Sequence, residues 1–392
     1  MKRVLMVGNS DIVIYNFRKE LIDRFIADGY EVYISLPKGQ NVDILIRKGC
    51  HFIETDVNGH GKNPIDEIKL IYTYRKIIKE VKPDVVLTYT IKPNIYCGFA
   101  CQATKTPQIA NITGLGSAVE NPGLLQKITV QLYRLAFKKI SCVFFQNEEN
   151  REFFKKKHMA RGPQRLIPGS GVNLSEFVPL AYPKDNIVNF LFVGRIIREK
   201  GIDQFLQAAE IIKSKYVNTS FRVIGKCSEE YKQVLKDYED RGIIWYAGMQ
   251  NDVKPFLQSA HCIIQPSYYP EGMSNALLEA EACARPVITT NRSGCRETLE
   301  HRGKRFLNGF MFEPKDTAGL VEQIEKFLAL SYDQKRTMGL ESRKKVEREF
   351  DRKVVIDAYL EEIDRIVDSP AKHATIPEPS WVHIVEKEEA AS

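Results

Sequence analysis

Short apolar runs alternate with longer amphipathic stretches along most of the chain. The runs have the length of buried strands, and the stretches between them carry apolar residues at helical spacing. Strands that alternate with helices form parallel sheets covered on both faces, so the pattern predicts an α/β fold. The predicted strands are 2–7, 31–36, 84–88, 108–112, 142–146, 190–193, 221–224, 243–246, 262–265 and 287–289, and the clearest predicted helices are 15–28, 65–81 and 354–367.

The alternation pauses at a loop over residues 167–173 and then restarts, which predicts two domains. A chain of 392 residues is long enough for two domains of ordinary size. We expect domains over 1–180 and 181–350, joined near the prolines at 179 and 183, and a last helix over 351–367. The tail over 368–392 has three prolines and an acidic end, and its sequence leaves open whether it is disordered or docks through residues 381–384.

Composition is that of a globular protein, with 43% hydrophobic and 27% charged residues. No apolar run approaches the roughly 18 residues of a membrane span, and the start of the chain is typical of a first strand, which favours cytoplasmic residence. The eight cysteines are scattered. For the close pair Cys97 and Cys101, a helical core is a better interpretation than a metal site, because no histidine lies nearby.

Positive charge is concentrated in the first half, where residues 1–180 carry 26 Lys and Arg against 17 Asp and Glu. Ten basic residues and three acidic ones lie between Leu124 and Arg165, beside a helical stripe of apolar residues at 124, 125, 128, 132, 135 and 136. A helix packed in the core with cationic ends explains this pattern at least as well as a contact with an anionic membrane does. No basic and aromatic groove indicates nucleic acid as a partner.

The most informative segment spans residues 269–290. Glu271 lies in a glycine-containing turn, a helix-favouring run containing Glu279 follows, and Pro286 precedes an apolar strand. The first N–H groups of a helix and its dipole favour phosphate, and two carboxylates add acceptors for hydroxyl groups. Hydrogen-bond donors for phosphate beside acceptors for hydroxyl groups predict a nucleotide-sugar site. The alternative is a glutamate-rich surface helix.

A second segment follows the apolar strand that ends at Val193. Gly194, Arg195, Lys200 and Gly201 lie in the turn between that strand and a helical pattern. Two adjacent phosphates require fixed cations, and a glycine lets the backbone approach them. The two segments, in this order, resemble the donor-site motifs of the retaining glycosyltransferases of family 4.

This resemblance implies the GT-B fold, in which two Rossmann-like parallel-sheet domains lie on either side of a cleft. It assigns the donor to the C-terminal domain and the acceptor to the N-terminal domain, with the last helix crossing back to the latter. Arg195 and Lys200 would hold the diphosphate, Glu271 the sugar hydroxyls and Glu279 the ribose. The other donor-binding residues implied are Gly194, Gly272, Met273, Ser274, Asn275, Gly225, Gly248 and Met249.

Polar loops of the N-terminal half narrow the resemblance to transferases that extend a sugar on a polyprenyl diphosphate in bacterial surface polysaccharide or glycoprotein synthesis. The acceptor-side candidates in those loops are Asn9, Ser10, Asn16, His60, Lys92, Asn94, Thr113, Gly114 and Gly116. Many family members have a histidine in the loop that here spans 112–117, and this chain has none there. The backbone N–H groups of 114–117 or His60 are candidates to replace it, although His60 also fits a surface loop histidine.

The reaction implied is transfer of a hexose or N-acetylhexosamine from a UDP-sugar to a lipid-diphosphate-linked saccharide, with retention of configuration. No Asp-x-Asp motif or histidine cluster is present, so no metal and no cofactor are expected. The resemblance also implies a cytoplasmic protein that is peripheral on the inner face of an anionic cell membrane. A nonhydrolysing UDP-sugar epimerase and a non-enzymatic membrane-binding protein remain alternatives, whereas a dinucleotide oxidoreductase would need a glycine-rich motif that the first loop lacks.

Overall fold

The computed structural model describes residues 1–57, 64–120, 122–303 and 305–368. His60 and the tail segment 381–384 lie outside these residues. The chain divides into two compact units, one formed by Met1–Ser170 with the stretch from Lys353 and the other by Gly171–Arg352. The first boundary precedes the predicted linker because residues 171–182 pack on the second unit, where the Tyr182 hydroxyl donates to the His261 carbonyl at 3.0 Å.

The first unit is built on a parallel sheet of seven strands in the order β3-β2-β1-β4-β5-β6-β7. Its strands are β1 (Arg3–Val7), β2 (Glu31–Leu36), β3 (His51–Glu54), β4 (Val85–Tyr89), β5 (Gln108–Ile112), β6 (Cys142–Phe145) and β7 (Gln164–Leu166). The central strands are buried along their length, as the apolar runs predict.

Helices cover both faces of this sheet. They are α1 (Asp11–Ala27), α2 (Val42–Arg47), α3 (Pro64–Val81), α4 (Gly98–Thr104) after a π-helical turn at Pro93–Cys97, α5 (Ser117–Glu120), α6 (Leu124–Ala136) and α7 (Glu148–Lys156). Helix α1 begins four residues before the predicted start at Tyr15, because the Ser10 side chain accepts the backbone N–H of Ile12 and caps it. Cys97 and Cys101 are free thiols buried in helical turns, which confirms the core interpretation of that pair.

The second unit contains a parallel sheet of six strands in the order β10-β9-β8-β11-β12-β15 and a separate hairpin of β13 and β14. The strands are β8 (Val188–Val193), β9 (Thr219–Ile224), β10 (Trp245–Tyr246), β11 (Cys262–Gln265), β12 (Val287–Thr290), β13 (His301–Arg302), β14 (Arg305–Phe306) and β15 (Gly309–Phe312). Its helices are α8 (Ile202–Lys215), α9 (Glu229–Asp240), α10 (Lys254–Ser259), α11 (Asn275–Ala282), α12 (Thr317–Ala329) and α13 (Tyr332–Glu349).

Strand β10 is shorter than the predicted strand over 243–246. The backbone N–H of Ile243 donates to the Tyr238 carbonyl at 2.9 Å and closes the end of α9 after the left-handed Gly242. That donor is therefore not available for strand pairing, and Ile243 and Ile244 serve only as buried core residues.

The last helix, α14 (Arg352–Val367), packs on the sheet of the first unit. The Tyr359 ring lies 4.9 Å from the Phe144 ring of β6, centroid to centroid. Two parallel sheets flanked by helices confirm the predicted α/β class. In each sheet the strand order reverses beside its first strand, between β1 and β4 and between β8 and β11, and ligands of such sheets bind at the carboxyl ends of those strands.

Candidate functional site

The loop after β8 carries the predicted phosphate-binding residues to the point where the strand order of the second sheet reverses. Gly194 and Arg195 follow the strand directly, and a 3₁₀ turn at Arg198–Lys200 leads into α8. Gly201 adopts a left-handed conformation, with φ of 76°, and a Cβ there would lie 2.0 Å from the Pro266 carbonyl oxygen. Only glycine fits this contact, which holds the loop beside the segment that follows β11.

Lys200 forms an ion pair with Glu271, the residue predicted to hold sugar hydroxyls. The side chains are only 11% and 13% exposed, and the Ser267 hydroxyl donates to the same Glu271 oxygen at 3.0 Å. The Arg195 guanidinium and the Lys200 ammonium lie 4.9 and 5.4 Å from the centre of the Tyr269 ring, within the range of cation–π attraction. Two cations and one carboxylate are thus held together around a single aromatic ring.

Ser267 and Tyr269 are the contacts that sequence reasoning missed, although both lie within or beside the segment it singled out. A tyrosine two residues before Glu271 can be recognised as a site residue only once the fold shows that the loop after β8 packs against it. Cys295 is buried within range of the charges of this pair, and its pKa is raised to about 12 by burial and further by the Glu271 charge. Its thiol is therefore protonated and is not a nucleophile at neutral pH.

Helix α11 begins at Asn275, directly after the turn that contains Glu271 and Gly272. The backbone N–H of Ser274 donates to the Gly294 carbonyl at 2.7 Å, so it is already used within the protein. The next three N–H groups, those of residues 275–277, belong to the first turn and have no acceptor within the helix. Glu279 lies one turn further along, half-buried.

The remaining donor-side candidates differ in their exposure and in whether the side chain or the backbone is open to a ligand. Gly225 follows β9 and donates its N–H to the carbonyl of Gly248, which follows β10, at 2.9 Å. A Cβ at Gly225 would lie 1.7 Å from the Gly194 carbonyl oxygen, so these turns are in backbone contact. Met249 is exposed, whereas the Met273 side chain is buried in an apolar cluster with residues of α11 and α13 and leaves only its backbone for a ligand.

The acceptor-side candidates other than His60 lie at the carboxyl edge of the first sheet. Ser10 caps α1, Asn16 is exposed on that helix, and Lys92 forms an ion pair with Glu67 at 2.7 Å. Asn94 donates its side-chain amide to the Asn111 carbonyl at 2.8 Å, and Thr113, Gly114 and Gly116 follow β5. Among the residues that the structure describes, the buried side-chain oxygens of Asn9, Thr90 and Asn94 have no hydrogen-bond partner, so this edge holds acceptors and a hydroxyl that a polar ligand could satisfy.

Helix α6 presents apolar side chains to solvent. Residues Val130, Tyr133 and Ala136 face the core, whereas Leu124, Leu125, Ile128 and Leu135 are between 44% and 75% exposed. The core-packed interpretation of this stripe is therefore wrong for those four residues and holds only for positions 132 and 136. Within the described ranges, no helix is both long enough and apolar enough to cross a membrane.

Two family models match the chain: "Glycosyl transferase 4-like" over residues 3–147 and "Glycosyl transferases group 1" over residues 176–345. The chain is 24% identical over 383 residues to N,N'-diacetylbacillosaminyl-diphospho-undecaprenol alpha-1,3-N-acetylgalactosaminyltransferase of Campylobacter jejuni, covering 93% of this chain and 99% of that protein. It is 25% identical over 280 residues to UDP-Gal:alpha-D-GlcNAc-diphosphoundecaprenol alpha-1,3-galactosyltransferase of Escherichia coli, covering 66% and 70%.

The crystal structure of a glycosyltransferase from Rickettsia africae superposes with a TM-score of 0.77 at 20% identity, covering 94% of this chain and 99% of that one. This likeness confirms the predicted GT-B fold. The epimerase alternative gains no support from these relatives, all of which are named as transferases. The two matched models account for both units, and the chain belongs to the glycosyltransferases, with a 4-like N-terminal domain and a group 1 C-terminal domain.

Proposed function

We propose that the protein transfers a hexose or N-acetylhexosamine from a UDP-sugar to a saccharide linked to a lipid diphosphate, with retention of anomeric configuration. The observation that carries the donor assignment is the cluster of Arg195, Lys200 and Glu271 around Tyr269, beside the first turn of α11. It combines fixed cations, free helix N–H groups and a carboxylate, which are the partners of a diphosphate and a sugar. The names of the relatives from C. jejuni and E. coli support the acceptor class.

The proposed mechanism relies on stabilising the departing diphosphate. The acceptor hydroxyl attacks the anomeric carbon, the bond from that carbon to the phosphate oxygen breaks, and the hydroxyl proton passes to the departing phosphate. Arg195 and the α11 N–H groups take up the charge that develops. One N–H of the Lys200 ammonium is used by Glu271, which leaves two for phosphate oxygens. Glu271 holds sugar hydroxyls, Glu279 holds the ribose, and no metal takes part.

Incubation with a panel of radiolabelled UDP-sugars, with and without a lipid-diphosphate-linked sugar, tests the transfer. We expect label in the lipid product only when both substrates are present, and the product's anomeric configuration by NMR tests retention. Arg195→Ala should slow transfer by roughly tenfold to a thousandfold, as for other lost contacts to a developing anion. Turnover of a UDP-sugar without any acceptor would instead favour an epimerase.

An acceptor anchored in lipid places the reaction at a membrane, and we propose that α6 docks there, on the cytoplasmic face. The exposed apolar residues Leu124, Leu125, Ile128 and Leu135 lie on the same helix as Lys127, and Lys138 and Lys139 follow its end, all three exposed. Apolar side chains flanked by lysines are typical of helices that lie in the interface of an anionic bilayer. Each lysine near such a surface contributes on the order of 1 kcal/mol, and salt screens this attraction.

Vesicle co-sedimentation tests the docking. We expect stronger binding to vesicles with acidic lipid than to neutral ones, a decrease with salt, and loss of binding in the Leu124→Glu, Ile128→Glu double variant. A matched control is Ile211→Glu on α8, an exposed apolar residue of the second unit. Equal binding by wild type and the α6 variant would refute the docking surface without affecting the donor assignment.

A further inference from the structure

The segment that follows β12 packs against the turn that contains Glu271. Gly294 in this segment accepts the Ser274 N–H at 2.7 Å and adopts a left-handed conformation with φ of 87°. A Cβ on Gly294 would lie 3.0 Å from the Gly272 carbonyl oxygen and 3.2 Å from the Glu271 Cβ. The place where α11 begins therefore depends on where Gly294 is held.

Glu297 binds Ser293 with one carboxylate oxygen and Gly294 with the other. The Ser293 hydroxyl donates to Oε1 at 2.9 Å, and the Gly294 N–H donates to Oε2 at 2.7 Å. Charge-assisted bonds of this kind are stronger than neutral ones, and two of them fix the direction of a short loop. Glu297 therefore acts on the donor-site turn by way of Gly294, which packs against Gly272 and accepts the Ser274 N–H.

We propose that Glu297 is a positioning residue for the nucleotide-sugar site. Glu297 fixes Gly294, and the Gly294 carbonyl accepts the Ser274 N–H. This hydrogen bond sets the position of the first turn of α11, from which the N–H groups of residues 275–277 reach the diphosphate. The inference rests on the proposed function, because it takes the ligand of that turn to be the diphosphate of a UDP-sugar. A displaced helix start weakens contacts to the β-phosphate most, since that group lies nearest the transferred sugar.

The test compares the binding of UDP with that of UMP, which lacks the β-phosphate, by calorimetry on the full-length protein. Glu297→Met keeps the length of the side chain and removes both acceptors. We expect UDP binding to be weaker by roughly tenfold, the order of loss when a residue that supports a ligand contact is removed, and UMP binding to change little. Turnover should fall more than the KM for the sugar donor rises, because the diphosphate charge is largest in the transition state.

Two further variants make the result specific. Glu297→Gln retains one acceptor for Gly294 and an amide N–H that Ser293 can accept, so it should restore most of the UDP affinity. Glu313→Met is the matched control, because the Glu313 side chain accepts from the Asn291 side chain at the start of the same segment.

An equal loss of UDP and UMP affinity in Glu297→Met, with a lower melting temperature, would mean a purely structural role and would overturn the inference. Unchanged binding of both nucleotides would overturn it as well. Should Glu297→Met fail to fold, Gly294→Ala provides the same comparison, because its added Cβ displaces the Gly272 turn directly. Absence of UDP binding in the wild type would instead refute the proposed function itself.

Discussion

The ion pair between Lys200 and Glu271 should be energetically coupled, and a double-mutant cycle measures this. The perturbations are Lys200→Met, Glu271→Gln and the two together, each measured in the unliganded protein. Both side chains are almost nine-tenths buried, so loss of one partner leaves the other polar group in a site of low dielectric. Wholly buried pairs lose about 3–5 kcal/mol when one partner is removed.

For this pair we expect a smaller loss of stability, and a different loss for each of the two residues. In Lys200→Met, the Glu271 carboxylate loses the ammonium and retains the Ser267 hydroxyl, so we expect a loss of about 2–3 kcal/mol of stability. In Glu271→Gln, the ammonium keeps the amide oxygen as an acceptor and the Tyr269 ring 5.4 Å away, so the loss should be about 1 kcal/mol. The double variant should be less destabilised than the sum, with a coupling of at least about 1 kcal/mol.

Urea unfolding monitored by circular dichroism gives the free energies, and calorimetry with UDP gives the functional result. Lys200→Met should also weaken UDP binding, because two of its N–H groups are assigned to phosphate. If the two single changes add within about 0.5 kcal/mol, the residues are not coupled and the pairing has no energetic role. Unchanged UDP affinity in Lys200→Met would remove this residue from the diphosphate site.

Three other outcomes are expected. Glu279→Gln should weaken UDP binding, because the ribose belongs to UDP, whereas Glu271→Gln should leave it nearly intact and slow turnover; the reverse pattern in calorimetry and rate assays would exchange the two roles. Activity should survive excess EDTA, and a loss restored by Mg²⁺ or Mn²⁺ would reveal a metal site. Burial lowers the pKa of His261 from 6.5 to about 4, and its Nδ1 accepts the Asn189 N–H, so the unfolded state binds the proton more readily and stability should fall as pH drops from 6.5 towards 4. The urea midpoint at pH 5 and 7 checks this, and the fall should be smaller in His261→Gln.

Local sequence determined which elements form and which residue types lie at the donor site. Apolar runs separated by amphipathic stretches are sufficient to specify buried parallel strands and the helices between them, because burial on both faces of a sheet requires continuous apolar strands. The turns at Gly194 and Gly272 were also predictable, since a glycine between a strand and a helix marks a close backbone approach. These features depend on neighbours in the chain.

Element boundaries were less predictable where a single hydrogen bond decided them. The Ser10 cap extends α1 beyond its apolar pattern, and the Gly294 carbonyl accepts the N–H of Ser274, the residue directly before α11. The first signal is local and was present in the sequence as a serine before an acidic residue. The second comes from a segment twenty residues away, whose proximity depends on the packing of β12.

Only the tertiary structure decided how the site residues combine. Lys200 and Glu271 are 71 positions apart, and their pairing follows from the adjacency of β8 and β11 in the sheet. The support from Glu297 could not be predicted from the sequence either. The same holds for the exposure of the α6 stripe, because periodicity shows that a helix has an apolar face but not which neighbour covers it. Sequence thus specified residues and their spacing, whereas long-range contacts set their partners, their burial and the charges each one meets.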